Sequence, residues 1–261
     1  MPNRSSRLRH DSLLRLLAQH DSIRVQTIAE ALHVSGWTVR RDLEALERNR
    51  LVERRHGETR LSSEGRARML SINPHELLPD EVKQARTKIA RAAAALVPNH
   101  SSLVLGAGNT TVQVARALAG KQLQVMTNSL DVALALSRSG GIKTISTGGE
   151  VDGDYSTLNG PITQRVLQAH YFDYAIVSVS GIDVRGGLTV QSPMNVIALE
   201  IMLEHANRVV IVADQGKFGV VGFAHLCGFD QIDTLVSDAL PGDTTLLEGL
   251  KRAGVEVIVA A

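Results

Sequence analysis

Apolar residues recur every three or four positions through the first fifty residues, a spacing that predicts amphipathic helices. The first helix is predicted over residues 5–19 and the second over residues 25–32. In a third helix, Val39, Leu43 and Leu46 fall on one face, since they are four and three residues apart. The N-terminal part of the chain is therefore expected to be a small helical unit.

The start of the third helix combines a capping residue with polar and basic side chains. Ser35 stands where its hydroxyl can accept a hydrogen bond from an unpaired amide, so it is the predicted N-cap. Trp37, Thr38, Arg40 and Arg41 are left to project outward, although Trp37 could also be half-buried scaffold. Two helices joined by a short turn, the second basic near its N-terminus, predict a helix-turn-helix with its recognition helix.

The two arginines and the neighbouring carboxylate of this helix are expected to have different roles. Arg40 and Arg41 are consecutive, so they cannot both point into one groove. One is expected to read a base and the other a phosphate, and the sequence leaves open which. Asp42 is expected to pair with a neighbouring arginine rather than to contact DNA.

Residues 51–61 form two short runs on either side of His56-Gly57, a pattern typical of a β-hairpin. A hairpin directly after a recognition helix is a wing. Its basic side chains would meet phosphates or the minor groove. They are Arg54, Arg55 and Arg60, with His56 at the turn. A winged helix-turn-helix domain is therefore predicted over residues 1–62.

Residues 63–83 are polar and broken by prolines, so they are predicted to be a linker. From residue 84 to residue 261, short apolar runs alternate with amphipathic helical stretches, which predicts an α/β domain with a largely parallel sheet covered on both faces. The predicted strands are Ser102–Leu105, Leu123–Thr127, Lys143–Thr147, Tyr174–Ser178, Arg208–Ala213, Thr234–Ser237 and Glu256–Val259. The predicted helices are Thr111–Leu118, Leu130–Ser137, Asn195–Ala206 and Thr245–Ala253.

Small polar residues gather just after the predicted strands, where parallel sheets bind ligands. The loop after the first strand runs from Gly106 to Thr111 and leads into a helix, whose N-terminal amides can hold an anion. Similar donor-rich loops follow four further strands, at residues 127–129, 148–150, 180–183 and 214–218. Their convergence predicts a pocket for a small, polyhydroxylated, anionic molecule.

Charge is distributed unevenly along a chain whose total is close to neutral. Residues 1–70 carry a net charge of +5, with fourteen arginines and no lysine, while the rest carries −4. A basic first quarter is typical of a polyanion-binding segment, although it could also be a solvated surface.

Other compositional features narrow the class of protein. No apolar run is long enough for a membrane span, and a single cysteine, Cys227, excludes an intramolecular disulfide. The scattered histidines have no metal-ligand spacing. We therefore expect a cytoplasmic protein with neither metal nor cofactor.

The segment VSGWTVRRDLEALERNRLVERRHG resembles the DNA-binding signature of the DeoR family of bacterial repressors. The shared features are a helix with Thr-Val-Arg-Arg-Asp-Leu and a wing with Arg-x-His-Gly. The family's wing usually continues Gly-Ala, whereas this chain has Glu58-Thr59. The predicted helix and wing, together with this resemblance, give the residues expected at DNA: Ser35, Trp37, Thr38, Arg40, Arg41, Arg54, Arg55 and His56.

The resemblance extends through the second domain and so covers nearly the whole chain. The DeoR sensor domain is similar in fold to ribose-5-phosphate isomerase, and its members commonly respond to phosphorylated sugars. The resemblance implies that Gly108, Asn109, Thr110 and Thr111 hold a phosphate. It further implies that the sugar is contacted by Thr127, Asn128, Ser129, Gly149, Asp183 and Lys217.

Three departures from the family pattern fall on charged positions. Gly106 stands where the family often has an aspartate. Asn195 and Leu199 replace a Glu and a Lys, and Ala85-Arg86 replaces a Glu-Lys pair. The resemblance therefore leaves the identity of the effector open.

The sequence thus predicts a non-enzymatic repressor of a carbohydrate-metabolism operon, controlled by a small effector resembling a phosphorylated sugar. It would bind operator double-stranded DNA as a homo-oligomer, a dimer or a tetramer. One alternative is a sugar-phosphate isomerase-like enzyme fused to a DNA-binding module, with Asp183 as the general base. A purely architectural DNA-binding protein is disfavoured by the size of the second domain.

Overall fold

A computed structural model describes residues 9–10, 12–14, 16–17, 22–32, 34–55, 58–62, 80–153 and 155–261 of the chain. The chain divides into two compact units, Met1–Leu78 and Pro79–Ala261. Each unit is described by itself below.

The first unit has the three predicted helical segments and a small antiparallel sheet. Residues 9–10, 12–14 and 16–17 are helical, and helices α1 (Val25–Ala31) and α2 (Gly36–Arg48) follow. The strands are β1 (Ile23–Arg24), β2 (Val52–Arg55) and β3 (Glu58–Leu61), in the order β1-β3-β2. Leu13, Ile28 and Leu43 are among the fully buried side chains of one core. The unit is a winged helix-turn-helix, because the hairpin β2–β3 directly follows α2.

The second unit is built on a seven-stranded sheet in which every neighbouring pair is parallel. The strand order is β15-β14-β12-β9-β4-β5-β6. Valine, leucine and isoleucine predominate in the central strands, as expected when both faces of a parallel sheet are buried. The strands are β4 (Ser102–Leu105), β5 (Leu123–Thr127), β6 (Ile142–Ser146), β9 (Phe172–Ser178), β12 (Ala206–Val212), β14 (Thr234–Ser237) and β15 (Glu256–Val259).

Helices cover both faces of this sheet and enclose one apolar core on each side. One core includes Ile89, Val112 and Val132, and the other includes Leu167 and Leu250. The prediction of a doubly covered α/β sheet is confirmed. The helices are α3 (Asp80–Ala95), α4 (Asn109–Ala117), α5 (Leu130–Leu136), α6 (Pro161–Gln168), α7 (Val196–Glu204) and α8 (Thr244–Arg252).

Helix α3 begins at Asp80, so the predicted linker over residues 63–83 is wrong at residues 80–83. Pro79-Asp80 suggested a break in the chain, but Asp80 and Glu81 are acidic residues in the first turn of the helix. Negative charge there is favourable because it lies at the positive end of the helix dipole. Residues 63–79 of the predicted linker lie outside the described residues.

Two small antiparallel sheets and two helices, α3 and α6, were not among the elements predicted from the sequence. β7 (Glu150–Asp152) pairs with β8 (Thr157–Asn159). The order of the other sheet is β10-β11-β13. Its strands are β10 (Gly181–Asp183), β11 (Gly187–Val190) and β13 (Ala224–Cys227). These strands are only three or four residues long, too short for a clear alternation of apolar and polar positions.

Candidate DNA-binding surface and effector cavity

Helix α2 is capped as the sequence predicts. Ser35 Oγ accepts a hydrogen bond from Thr38 N at 3.2 Å, and the hydroxyls of the two residues lie 2.8 Å apart. Ser35 and Thr38 therefore fix the start of the helix. Ser35 remains exposed, so its capping role leaves it accessible to a partner.

The two faces of α2 separate apolar from basic side chains. Val39, Leu43 and Leu46 are buried, whereas Arg40 and Arg41 are exposed. The Trp37 side chain is 66% exposed, which rules out the alternative that it is half-buried scaffold. The outer face of α2 is therefore basic and aromatic, a combination suited to nucleic acid.

Asp42 is tied to the N-terminal helical segment. Both Arg9 Nε and Arg9 Nη2 donate to its carboxylate, the second at 3.0 Å, and His10 Nε2 lies 3.1 Å from Oδ1. Burial raises the pKa of Asp42, but the hydrogen bonds and charges of Arg9 and His10 outweigh it, so the pKa falls below its ordinary value. The expected arginine partner is found, but it is not on α2. Asp42 thus connects α2 to the N-terminal helical segment that contains Arg9 and His10.

On the wing, two of the predicted basic residues are already near acidic ones. Arg60 donates to Glu53 Oε2 from Nε at 3.0 Å and from Nη2 at 2.7 Å. Arg54 Nη1 lies 3.7 Å from Glu47 Oε2. His56 and the side chain of Arg55 lie outside the described residues. The described part of the wing is therefore less basic than its arginine content suggests.

In the second unit, a cavity of about 140 Å³ lies at the carboxyl ends of β4 and β9. From β4 the strand order proceeds through β5 toward one edge of the sheet, and from β9 it proceeds through β12 toward the other edge. The order therefore changes direction between the adjacent strands β4 and β9. Such switch points are the usual ligand-binding crevices of open parallel sheets. The cavity is lined by residues 107–108, 155, 157, 178–180, 190–192, 195 and 199.

The N-terminus of α4 borders this cavity at Gly108. The first helical hydrogen bond runs from Val112 N to Gly108 O at 3.0 Å, so the amides of Asn109, Thr110 and Thr111 precede it. Such amides have no partner within a helix and can bind an anion. The side-chain hydroxyl of Thr111 donates to Gly108 O at 2.8 Å, and the side chains of Thr110 and Thr111 are both buried. The predicted phosphate loop thus meets the cavity through Gly108.

Gly108 cannot carry a side chain in this conformation. Its φ is +143°, and a Cβ built on it would lie 2.1 Å from Ser178 Oγ. Ser178 Oγ donates to Ala107 O at 3.0 Å, which holds the end of β9 against the loop after β4. The close approach of these two strand ends therefore depends on glycine at position 108.

The predicted residues after β5 are buried and serve the local structure. Thr127 Oγ1 accepts from Ser129 N at 3.0 Å, and Ser129 Oγ caps α5 by accepting from Val132 N at 3.3 Å. Asn128 Nδ2 donates to Asn195 Oδ1 at 3.0 Å. Asn195 lines the cavity, so Asn128 lies one hydrogen bond behind the cavity wall.

Gly149, Asp183 and Lys217 are not among the residues that line this cavity. A hydrogen bond from Gly219 N to Ile182 O at 2.9 Å holds the segment after Lys217 beside β10, which contains Asp183. The pKa of Asp183 is lowered, first by the hydrogen bond from Arg185 N at 2.9 Å and further by the Arg185 side chain. Asp183 and Lys217 thus lie on neighbouring segments, outside the cavity lining.

Several cavity residues escaped sequence reasoning: Tyr155, Thr157, Ser178, Gln191, Ser192 and Asn195. Ser178 ends a predicted strand, so its position at the ligand edge was the available signal. Tyr155 and Thr157 reach the cavity from the β7–β8 region, which the sequence pattern did not reveal. Ser192 precedes a short 3₁₀ turn, Pro193–Asn195, which includes Asn195 and leads into α7.

Arg86 forms a buried ion pair at the same edge of the sheet. Its Nε and Nη2 both donate to Asp214 Oδ2 at 3.0 Å, which joins α3 to the residue shortly after β12. Both side chains are nearly buried. Where the family has a Glu-Lys pair, this chain has Ala85-Arg86. The second position of the pair is therefore still a cation, Arg86, and its partner is Asp214.

Comparison with known proteins assigns the family. The model of the DeoR-like helix-turn-helix domain matches residues 9–64, and that of the DeoR C-terminal sensor domain matches residues 81–239. The chain belongs to the DeoR family. The two matched regions include the capped helix α2 and the cavity at the switch point.

Curated relatives of this DeoR-family chain are transcriptional repressors. The HTH-type transcriptional repressor CsqR of Escherichia coli is 30% identical, over 96% of this chain and 94% of that protein. GlcR of Bacillus subtilis, also an HTH-type transcriptional repressor, is 29% identical over 95% and 94%. The glycerol-3-phosphate regulon repressor of E. coli is 29% identical over 89% and 91%.

Among solved structures, the sensor is similar to ribose 5-phosphate isomerase A of Methanocaldococcus jannaschii. The identity is 16% over 51% of this chain and 53% of that one, with a TM-score of 0.39. Within the described residues, no helix has both the length and the apolar character that crossing a membrane requires.

Proposed function

We propose that this protein represses a carbohydrate-metabolism operon by binding operator double-stranded DNA through α2 and the wing, under the control of a sugar-phosphate effector. The observation that carries the proposal is the exposed face of α2. There Trp37, Arg40 and Arg41 project from a helix whose other face is fully packed. The family's repressors support the same role for this chain.

Each proposed DNA contact has a physical basis. Arg40 and Arg41 are exposed, and a guanidinium can bind a guanine edge or a phosphate with two hydrogen bonds. Ser35 and Thr38 lie at the helix start, where short side chains and backbone amides can meet phosphates. Arg54, Arg55 and His56 belong to the wing. Arg60 is held by Glu53, so we assign it a smaller part.

The effector is proposed to bind in the cavity between β4 and β9. The first-turn amides of α4, at residues 109–111, would hold its phosphate, and the hydroxyls and amides around the cavity would bind its sugar hydroxyls. Asn128 would act through Asn195, while Thr127, Ser129 and Gly149 would shape the loops around it. Asp183 and Lys217 would join the site if the effector extends beyond the cavity.

Control requires two arrangements of a homo-oligomer, a dimer or a tetramer, that differ in affinity for the effector. Binding of the effector to one arrangement would shift the population toward it and change operator affinity by linkage. Two-fold symmetry would place two recognition helices on paired half-sites of the operator.

The enzymatic alternative has a weaker physical basis. Asp183 accepts hydrogen bonds from Arg185, which lower its pKa and make the carboxylate a poorer proton acceptor. An isomerase needs a base beside the reacting carbon, and Asp183 is not among the residues lining the cavity. A regulator therefore accounts better for the site.

The test is selection of binding sites from a random pool of double-stranded DNA with the full chain. We expect enrichment of a defined sequence with two related half-sites, and binding that weakens steeply as salt is raised. Arg40→Ala and Arg41→Ala should bind the enriched sequence more weakly than the wild type, whereas Arg252→Ala, on α8, should bind it equally well. Enrichment of no sequence, or equal binding by all variants, would contradict the proposal.

A further inference from the structure

The cavity between β4 and β9 has an uncharged wall. None of the described residues that line it is ionised at neutral pH. Its polar lining consists of hydroxyls and side-chain amides, including Ser178, Ser180, Gln191 and Asn195. Its apolar lining includes Val190 and Leu199, both buried.

A pair of asparagines forms the most specific part of this wall. Asn128 Nδ2 donates to Asn195 Oδ1 at 3.0 Å and to Leu158 O at 3.3 Å, which fixes the orientation of the Asn128 amide. Asn128 is fully buried, yet its Oδ1 has no hydrogen-bond partner among the described residues. Because buried polar atoms in native proteins are nearly always hydrogen-bonded, this acceptor calls for a donor.

A second buried acceptor repeats the pattern on β8, the strand beside Asn128. Asn159 Nδ2 donates at 3.0 Å to Oγ1 of Thr157, a cavity residue. Asn159 Oδ1 is also buried without a partner among the described residues. Both asparagines therefore lie one hydrogen bond behind the lining with an oxygen unpaired. The lining in front of these two asparagines consists of uncharged hydroxyls and amides, and a hydroxyl is a neutral hydrogen-bond partner for such groups.

We propose that the part of the effector lying against Asn195 and Leu199 carries no charge and presents hydroxyl groups. The sensor then selects sugar monophosphates and rejects analogues that carry a second phosphate or a carboxylate at the far end. This inference rests on the proposed function, since it assumes that the phosphate occupies the N-terminus of α4.

The selectivity has an electrostatic origin. An anion placed against Leu199 and Asn195 loses its hydration and gains no cation in return from the described lining, which is strongly unfavourable. A hydroxyl at the same place exchanges one hydrogen bond with water for one with an amide. Discrimination of this kind depends as much on what the site repels as on what it binds.

The experiment measures dissociation constants by calorimetry with the full chain and two matched pairs of probes. Glucose 6-phosphate is compared with 6-phosphogluconate, and fructose 6-phosphate with fructose 1,6-bisphosphate. We expect at least one monophosphate to bind tenfold or more tightly than its doubly anionic counterpart. Inorganic phosphate alone should bind more weakly than that monophosphate.

Asn195→Lys adds a cation to the wall at a partly exposed position and should reduce the preference at least tenfold. Leu199→Lys should do the same from a buried position. Ile197→Lys, on the same helix but 51% exposed and outside the lining, is the matched control and should leave the preference unchanged. Thermal melting of each variant establishes that it is folded before its affinities are compared.

If the wild type binds the doubly anionic probes as tightly as the matched monophosphates, or more tightly, the proposal of a selective neutral wall is wrong. It is also wrong if none of the four sugars binds, or if neither lysine variant at positions 195 and 199 alters the preference. In each of these cases the repressor function stands if the wild type still binds its selected DNA. Failure of that DNA binding instead counts against the proposed function.

Discussion

The guanidinium carbon of Arg41 lies 5.5 Å from the centroid of the Trp37 ring on the exposed face of α2. The two residues are four apart and therefore neighbours on a helix. Attraction between the cation and the ring holds Arg41 in place before any partner arrives. A side chain ordered in advance loses less entropy on binding, which favours affinity.

Arg41→Ala should weaken binding to the selected DNA by about 10-fold to 100-fold, the range expected for losing one well-placed arginine contact to a base. Trp37→Phe, which keeps an aromatic ring for the guanidinium, should cost less than Trp37→Ala. Gel-shift titration at fixed salt measures both effects. Unchanged affinity in Arg41→Ala would show that α2 is not the reading helix.

Trp37 is also the single tryptophan of the chain, so its fluorescence reports on this surface alone. Because the ring is largely exposed, burial against DNA should shift its emission to shorter wavelength or quench it. Titration with the selected duplex should give a saturable change, and raising the salt should reverse it. A scrambled duplex is the control. If the fluorescence stays constant while a gel shift shows that the DNA is fully bound, Trp37 does not lie at the interface.

Asp42 should make the stability of the N-terminal unit dependent on pH. The pKa of Asp42 is lowered in the folded protein, so its contribution is complete above the ordinary aspartate value of about 3.9. It is lost as the pH falls through the lower folded value. At pH 7, Asp42→Asn should reduce the free energy of unfolding by about 3 kcal/mol, since it leaves Arg9 without its partner.

Urea unfolding followed by circular dichroism at several pH values between 7 and 2 measures this contribution as the difference between wild type and Asp42→Asn. We expect the difference to shrink below about pH 4. Asp243→Asn, a change in the exposed cap of α8, is the control and should show a smaller difference at pH 7. A difference that stays constant down to pH 2 would contradict the lowered pKa.

Gly108→Ala should abolish effector binding without loss of DNA binding. An added Cβ would collide with Ser178 Oγ and force the loop out of its left-handed conformation, so β4 and β9 could no longer approach at the cavity. Gly140→Ala, where a Cβ meets nothing within 4 Å, is the matched control. Calorimetry with the tightest-binding monophosphate and a gel shift measure the two activities separately. Normal effector binding by Gly108→Ala would show that the loop at Gly108 is not part of the effector site.

Much of the secondary structure followed from local pattern, because long apolar runs and helical spacing are strong signals. Four of the seven predicted strands match residue for residue: Ser102–Leu105, Leu123–Thr127, Thr234–Ser237 and Glu256–Val259. The buried face of α2 was likewise predictable, since Val39, Leu43 and Leu46 repeat with the period of the helix.

The details of the site were less accessible because they depend on contacts between distant residues. The partner of Asp42 is Arg9, thirty-three residues away, and no local pattern signals that pair. Asn195 lies in the cavity wall and accepts a hydrogen bond from Asn128, sixty-seven residues earlier in the chain, a pairing that no local pattern signals. Sequence reasoning placed the effector loops at the edge of the sheet where Gly108 borders the cavity, and that site stays a prediction. Only the assembled sheet defines which side chains share a wall.

The ion pair between Arg86 and Asp214 also bears on how the chain assembles. The two residues are 128 positions apart, so Arg86, in the second turn of α3, cannot reach this partner until β12 and the residues after it have been synthesised. Contacts of such long range close late, because a large loop must be ordered first. Nascent chains that end before residue 214 would leave the Arg86 guanidinium without this partner, and the sensor would complete its sheet only after β15 has been synthesised.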